Sequence, residues 1–370
     1  MDDDRTTVRY VDRMIADAVA RRASDIHLQP ESERCRLRLR IDGLLREAAG
    51  PPPTLAERVG ARIKLLAGMD VAERRRPQDG RLQLRLSDGT PAQFRVASCP
   101  SSHGEKLVLR LIEQHGPRAL AQLGLSPAAA ATFEEALRQP EGLILVTGPT
   151  GSGKSATLHA ALQYLNTPER NLCTVEDPVE MSIPGITQVA VNRRAEIDFA
   201  TVLRAFLRQD PDIIMVGEIR DTETAAIAVK AAQTGHLVLS TLHTRSAAGA
   251  IERLARMGIP PHDLASSLSL VIAQRLVRRR CPCQETPATT GASRQGCCDD
   301  GFAGRCGLFE ALPICAPIQE AILAGASARA ITEQAAALGY EDLASAGNRL
   351  IAEGLTTSAE LRRATSVVLS

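Results

Sequence analysis

The segment GPTGSGKS, from Gly148 to Ser155, decides the fold of this chain. It matches the pattern G-x-x-x-x-G-K-S of a phosphate-binding loop, which joins a strand to a helix. The apolar run LILV precedes it and the helical segment SATLHAALQYL follows it, so the required context is present. Backbone N–H groups of such a loop surround phosphate oxygens, and the start of the helix adds a partial positive charge. We therefore predict that a nucleoside triphosphate binds here.

The loop contains the predicted nucleotide-binding residues. Lys154 can reach the β- and γ-phosphates, and the Ser155 hydroxyl can bind Mg²⁺. Lysine is rare here, with four copies among 44 basic residues, so a lysine inside a motif is seldom accidental. The nucleotide-binding residues are predicted to be Gly148, Pro149, Thr150, Gly151, Ser152, Gly153, Lys154, Ser155 and Ala156.

Short apolar segments alternate with helical ones in the second part of the chain. NLCTVED, DIIMVGE and LVLSTLH all follow this pattern, which is typical of parallel βα units with both sheet faces covered. We predict an α/β domain over residues 120–370, with a cysteine-containing segment at 281–306 and C-terminal helices at 314–370.

Acidic and histidine side chains follow the predicted strands. Glu218 comes after DIIMVG and Glu176 lies in TVEDPVE, and strand carboxyl ends face the ligand crevice in a parallel sheet. Glu218 is therefore predicted to orient water or help hold Mg²⁺. Carboxylates near a triphosphate are costly unless Mg²⁺ or arginine offsets their charge, which favours a functional cluster. His236 and His243 bracket one strand and are predicted to sense phosphate.

The first 113 residues predict a small α+β domain. Apolar positions from Val8 to Val19 recur at helical spacing, and two hairpins turn at Asp42-Gly43 and Asp88-Gly89. QHGPRAL follows as a linker, with predicted bounds 114–119.

Composition excludes several other classes of protein. The formal charge is +1, aromatic residues make up 2% of the chain and tryptophan is absent, so no nucleic-acid partner is expected. The acidic start MDDDRTT is unlike a signal peptide, and no apolar run reaches the ~18 residues of a membrane span. We expect a cytoplasmic protein, in which clustered cysteines are more often metal ligands or free thiols than disulfides.

These motifs, in this order, resemble the secretion ATPase family of type II secretion (general secretion pathway protein E) and type IV pilus motors. GPTGSGKS resembles its Walker A motif, TVEDPVE its Asp box, VGEIRD its Walker B motif and TGHLVLSTLHT its His box. ASDIHLQP, RLRIDGLL, RRRPQDGR and FRVAS resemble the small preceding domain, and AQRLVRRRC also matches. The resemblance covers nearly the whole chain. It implies a RecA-like P-loop ATPase domain behind a smaller N-terminal α+β domain.

The resemblance also implies a homo-hexamer that binds ATP and Mg²⁺ between subunits. Glu218 and Glu176 are then the catalytic carboxylates, acting with Lys154. Arg81 and Arg95, together with Arg110, match arginines of the small domain that reach a neighbouring subunit's phosphates. Members dock on inner-membrane platform proteins, which implies a peripheral location at that membrane. Assembly and secretion members usually carry a further N-terminal domain, which we expect this sequence to lack because its small domain begins almost at Met1.

A cysteine segment distinguishes the branches of this family. Assembly and secretion members carry two C-x-x-C pairs that bind Zn²⁺, whereas the retraction motor lacks them. The cysteine segment of this chain therefore favours the assembly or secretion branch. Its own pattern is CPC and then CC. Adjacent cysteines point apart and can hardly share one metal. Three alternatives stay open, namely a zinc site, free thiols or a disulfide. The candidate zinc ligands are Cys281, Cys283, Cys297, Cys298 and Cys306.

The predicted function is therefore ATP hydrolysis that drives pseudopilus or pilus assembly for protein export. A pilus assembly or retraction motor is the first alternative. A RecA-like DNA translocase and a non-hydrolytic interaction module are alternatives of other classes, which the near-neutral charge and the intact Lys154 and Glu218 disfavour, respectively.

Overall fold

The structure is a computed structural model that divides into two compact units, Met1–His115 and Gly116–Ser370. The predicted linker 114–119 overlaps this boundary, but most of it lies outside the described residues, and its bounds stay a prediction. The described residues are 2–86, 89–112, 118–284 and 300–365.

The first unit is a six-stranded antiparallel sheet with two helices, in the strand order β3-β2-β1-β6-β5-β4. The α+β prediction is confirmed, and the first hairpin turns at Asp42-Gly43 as expected. The elements are α1 (Asp2–Ala20), β1 (Ala23–Pro30), β2 (Cys35–Ile41), β3 (Leu44–Ala48), α2 (Pro53–Leu66), β4 (Gln78–Arg85), β5 (Pro91–Ser101) and β6 (Gly104–Ile112).

The two helices cover one face of this sheet. Alternate strand residues such as Ile26, Phe94 and Leu109 are buried, and they form one cluster with Ile15 of α1 and Ile63 of α2. Because side chains alternate along a strand, the intervening residues lie on the other, polar face.

The second unit has a seven-stranded sheet in the order β13-β12-β7-β11-β10-β8-β9. All pairings are parallel except that of β12 with β13. Its elements are α3 (Pro127–Leu137), β7 (Gly142–Thr147), α4 (Lys154–Leu165), β8 (Leu172–Glu176), β9 (Thr187–Ala190), α5 (Phe199–Phe206), β10 (Ile213–Val216), α6 (Thr222–Ala232), β11 (Leu237–Leu242), α7 (Ala247–Arg256), α8 (Pro261–Ser267), β12 (Leu268–Arg280), β13 (Phe302–Pro313), α9 (Ala316–Leu323), α10 (Ala328–Ala337), α11 (Leu343–Ala352) and α12 (Ser358–Thr365).

Helices cover both faces of this second sheet. Every residue of β7 is buried, and its side chains divide between two cores. Ile144 and Val146 pack with Leu158 and other residues of α3 and α4, whereas Leu143 and Leu145 belong to the core that contains α5, α6 and α7. The predicted α/β class with a covered parallel sheet is confirmed.

The sequence interpretation missed the long antiparallel pair at one edge of this sheet. Strand β12 pairs with β7 on one side and with β13 on the other, and the cysteine segment connects β12 to β13. The carboxyl half of β12, with Arg275, Arg278 and Arg280, does not read as apolar, so its strand character was hidden.

The helices of the described ranges are all too short or too polar to span a membrane.

Lys64 is the most deeply buried charge of the first unit, with 1% of its surface exposed. Its Nζ donates to the main-chain oxygen of Glu73 at 2.6 Å and to the Glu105 carboxylate at 2.8 and 2.9 Å. It therefore fastens α2 to β6 and to the loop that leads into β4.

We expect Lys64→Met to destabilise the first unit by about 3 kcal/mol, because it leaves the Glu105 carboxylate without its buried partner. Chemical denaturation, followed by circular dichroism, measures the change. Lys230→Met, at an exposed lysine, is the matched control and is expected to stay within about 0.5 kcal/mol of the parent. Equal stability of the two variants would contradict this assignment.

Candidate nucleotide-binding and catalytic site

The phosphate loop joins β7 to α4, and α4 begins at Lys154. Gly148 lies against strand β12, where a Cβ atom would be 2.4 Å from the main-chain oxygen of Gln274. Its φ of +152° is also in the region that favours glycine. The glycine is therefore required by the close approach of two backbones, and this approach gives the loop its shape.

The Lys154 ammonium is held by the loop itself. Its Nζ donates to the main-chain oxygens of Gly148 at 2.8 Å and Pro149 at 3.1 Å. Burial, reinforced by the nearby Arg275, lowers the pKa of Lys154 to about 8, although the charge of Glu218 acts in the opposite direction. Both hydrogen-bond acceptors are neutral carbonyls, which an anionic phosphate can replace as a stronger partner for the cation.

Two hydroxyls of the loop fit a bound nucleotide with its metal ion. The Ser152 hydroxyl is buried and has no hydrogen-bond partner among the described residues, although buried polar groups are normally paired. Ser155, in the first turn of α4, is exposed. A phosphate oxygen would satisfy the Ser152 hydroxyl, and Ser155 is the residue that would hold Mg²⁺.

Gln274 and Arg275 of β12 connect the phosphate loop to neighbouring elements through hydrogen bonds. The Thr157 hydroxyl of α4 donates to Gln274 Oε1 at 2.7 Å. Arg275 donates to the main-chain oxygen of Gln274 at 2.9 Å and to that of Arg245 at 2.6 Å. This strand therefore links the loop to the turn that follows β11.

Glu218 follows β10 at the same edge of the sheet. Its carboxylate accepts a hydrogen bond from Arg220 Nη2 at 2.6 Å and lies 3.5 Å from His243 Nε2. Partial burial tends to raise the pKa of Glu218, but Arg220, His243 and Lys154 together hold it below its usual value. Glu218 is therefore an ionised carboxylate close to the loop lysine. Arg220 also approaches Asp177 at 3.9 Å.

Glu176, the last residue of β8, is 5% exposed. Its Oε1 accepts hydrogen bonds from the Thr174 hydroxyl at 2.8 Å and from Gln188 at 3.0 Å. Its Oε2 lies 3.5 Å from His159 Nε2. Burial tends to raise the pKa of Glu176, but His159, Gln188 and Thr174 together keep it below its usual value.

The two predicted phosphate-sensing histidines lie at opposite ends of β11. His243 contacts Glu218, whereas His236, before the strand, has its Nδ1 3.1 Å from the Ala231 main-chain oxygen. The strand separates them by roughly 20 Å. Within this unit, the structure brings His243 to the other site residues and leaves His236 at the opposite, amino-terminal end of β11. The phosphate-sensing role of His236 stays a prediction.

The three predicted trans arginines form one row on the polar face of the first unit. Arg81 lies opposite Arg95, Arg95 opposite Arg110, and Arg110 opposite Asp25. Residues directly opposite on antiparallel strands share a face, and like charges so placed repel. Asp25 offsets part of this charge through a 2.8 Å hydrogen bond from Arg110. Burial tends to raise the pKa of Asp25, but the bond from Arg110 helps to keep it low.

The cysteine prediction is only partly covered by the described residues. Cys281 directly follows β12, Cys283 comes two residues later, and Cys306 of β13 lies opposite Val277 of β12. Cys297 and Cys298 lie outside the described residues. In the described ranges, no group of three or more histidine, cysteine or acidic side chains could hold a metal ion. Zinc is therefore not shown, and the three alternatives stay open.

Several residues of the site were missed in the sequence. Thr157 and His159 lie in the helical segment that follows GPTGSGKS, and Arg220 lies inside VGEIRD, but no distinctive spacing marks any of the three. Gln274 and Arg275 belong to the segment AQRLVRRRC, whose match to the family was the available signal. Its position beneath the phosphate loop depends on β12 pairing with β7, which the sequence interpretation did not foresee.

A phosphate loop at the edge of a covered parallel sheet, with a buried lysine and two ionised carboxylates, defines a P-loop ATPase of the RecA-like type. The family described as "Type II/IV secretion system protein" matches residues 1–363. The chain belongs to this family.

Relatives from both pilus and secretion systems are similar to this chain. The type IV pilus assembly ATPase PilB of Pseudomonas aeruginosa is 45% identical, over 98% of this chain and 68% of that protein. The type II secretion system protein E of Klebsiella pneumoniae is 44% identical, over 98% of this chain and 77% of that protein. Among solved structures, the pilus retraction motor PilT with bound ADP superposes with a TM-score of 0.66 at 26% identity, covering 95% of this chain and 96% of that one.

The lowered pKa of Lys154 predicts that ATP affinity depends on pH. Below about pH 8 the ammonium is charged and can bind phosphate, and above that pH the charge is lost in the free protein. We expect the affinity to fall about tenfold between pH 7 and 9, as titration of one such group requires. Equilibrium binding of ATP across this range measures the change.

Lys154→Arg is the control, because a guanidinium stays charged over the whole range. Its affinity is expected to be weaker but nearly independent of pH. A slope that persists in Lys154→Arg would assign the titration to another group.

Proposed function

We propose that this protein is a hexameric ATPase whose ATP hydrolysis drives pseudopilus assembly in type II protein secretion. Membership in the secretion family and its ATPase relatives support the activity. The observation that carries the proposal is the electrostatic interaction of the loop lysine Lys154 with Glu218, at the end of the sheet where β8 also ends with Glu176.

Each site residue then has a defined role. Lys154 and the loop N–H groups hold the phosphates, and Lys154 offsets charge that builds on the γ-phosphoryl group. Glu218 orients a water molecule whose oxygen attacks the γ-phosphorus in line, while the bond to the bridging oxygen breaks and ADP leaves. Glu176 is the second carboxylate of this step, and His243, in contact with Glu218, senses the γ-phosphate. Mg²⁺, when bound beside Ser155, neutralises phosphate charge.

The arginine row of the first unit supports a hexamer with sites between subunits. Three aligned guanidinium groups with one carboxylate among them are suited to an anion, and Arg95 Nε is buried with no hydrogen-bond partner among the described residues. We assign these arginines to the phosphates of a neighbouring subunit. Closing that interface would couple hydrolysis to domain rotation. The ring would act in the cytoplasm, held at the inner membrane by platform proteins.

Pilus assembly is the second candidate function. It is favoured by the 45% identity to the pilus assembly ATPase PilB, which is close to the 44% identity to the type II secretion system protein E. The retraction motor PilT is less similar, at 26% identity, so assembly is favoured over retraction. Deletion of the gene distinguishes the two candidate functions. Loss of exported proteins would indicate secretion, whereas loss of surface pili would indicate pilus assembly.

Substitution of the two principal site residues tests the ATPase assignment. We expect Lys154→Ala and Glu218→Gln each to lower the Mg-ATPase rate at least 100-fold, because each removes a charge that acts on the transferring phosphoryl group. Glu218→Gln should still bind ATP, whereas Lys154→Ala should bind it weakly. Full activity in both variants would exclude this site as the catalytic centre.

Mixed rings test whether the arginines act in trans. Arg95→Gln and Glu218→Gln are each expected to be inactive alone, but co-assembly at equal amounts leaves roughly a quarter of the interfaces intact. ATPase activity should therefore recover in the mixture. Lys154→Ala mixed with Glu218→Gln is the matched control and should stay inactive, since both residues belong to one subunit's site. An arginine that acts within its own subunit would give no recovery in either mixture.

A further inference from the structure

His159 is a buried histidine that the proposed reaction does not use. It lies on α4 among buried apolar neighbours such as Leu158 and Leu162, and 5% of its surface is exposed. A polar ring in such surroundings is costly unless it has a hydrogen-bond partner. Its partner here is the carboxylate of Glu176, with His159 Nε2 3.5 Å from Oε2.

The two oxygens of Glu176 differ in their surroundings. Oε1 is occupied by hydrogen bonds from Thr174 of the same strand and from Gln188 of β9. Oε2 faces His159 instead. An ionised carboxylate can only accept hydrogen bonds, so Nε2 must carry a proton to be favourable at this position. The histidine therefore fixes the direction of the oxygen that Thr174 and Gln188 leave available.

His159 also connects Glu176 to the phosphate loop. Helix α4 begins at Lys154, so His159 lies five residues further along the same rigid helix, roughly 7.5 Å along its axis. Any displacement of α4 that accompanies nucleotide binding moves His159 with the loop. Strand β8, which carries Glu176, lies beside β10 and not beside β7, so the side-chain contact with His159 joins elements that the sheet keeps apart.

We propose that His159 is a positioning residue that holds the Oε2 oxygen of Glu176 in register with the phosphate loop during ATP hydrolysis. This inference rests on the proposed role of Glu176 as a catalytic carboxylate. It differs from a packing role, because a hydrogen-bond donor of similar reach can replace the histidine in positioning, whereas an apolar side chain of similar volume cannot.

Steady-state ATPase kinetics of the full chain test the proposal. His159→Phe fills the space without a donor, and we expect its kcat to fall about tenfold, because the contact with the charged Oε2 of Glu176 is lost. KM for ATP and the melting temperature should change little. His159→Gln keeps a donor and should recover most of kcat. His262→Gln, at a histidine with 73% of its side chain exposed, is the matched control and should match the parent.

A double-variant comparison separates this proposal from the proposed catalytic role of Glu176, on which it rests. If Glu176→Gln keeps the full rate, the assigned role of Glu176 fails. If Glu176→Gln is slow but His159→Phe keeps the parent kcat, the positioning role alone fails. Positioning predicts that adding His159→Phe to Glu176→Gln lowers kcat no further, whereas a tenfold loss in both backgrounds overturns it. Should His159→Phe not fold, His159→Leu takes its place, and recovery by His159→Gln decides between the two roles.

Discussion

The close approach of the phosphate loop to strand β12 is the constraint on which the rest of the site depends. Gly148 lies so near the Gln274 main chain that no side chain fits between them. Gln274 then reaches the start of α4 through Thr157, and Arg275 reaches the turn after β11. The loop, the helix that carries Lys154 and the turn that carries His243 are therefore held against one strand, so the site is largely preorganised before nucleotide binds.

Charge compensation is the second feature that shapes the site. Two buried or half-buried carboxylates near a triphosphate would repel it, yet both are kept ionised by specific donors: Glu218 by Arg220, and Glu176 by Thr174, Gln188 and His159. In contrast, the buried Lys154 loses its proton more readily than an exposed lysine. Glu218 and Glu176 therefore stay negatively charged and can orient water. The buried Lys154 ammonium lacks a charged hydrogen-bond partner among the described residues of the free protein, so its interaction with a bound phosphate is especially favourable.

The sequence predicted the second unit's architecture well because its signals are local. A phosphate loop, three apolar strand segments and the helices between them follow from spacing and hydrophobicity alone, and the structure has each of them. The prediction failed for β12, whose arginine-rich carboxyl half hides its strand character. It also gave His159 no role, since a single histidine on a helix is not distinguished by its neighbours in sequence. Its partner Glu176 is 17 residues away, at the end of strand β8.

The sequence by itself determined the class of protein, the positions of Lys154, Glu176 and Glu218, and the membership of the secretion family. These depend on short motifs whose chemistry requires certain residues at fixed spacing. Only the tertiary structure decided that His243 contacts Glu218 while His236 lies at the opposite end of β11. It also decided that Arg81, Arg95 and Arg110 form one row. The physical reason is strand pairing. Register and strand order bring residues together from distant parts of the chain, and neither can be read from the local pattern of a single segment.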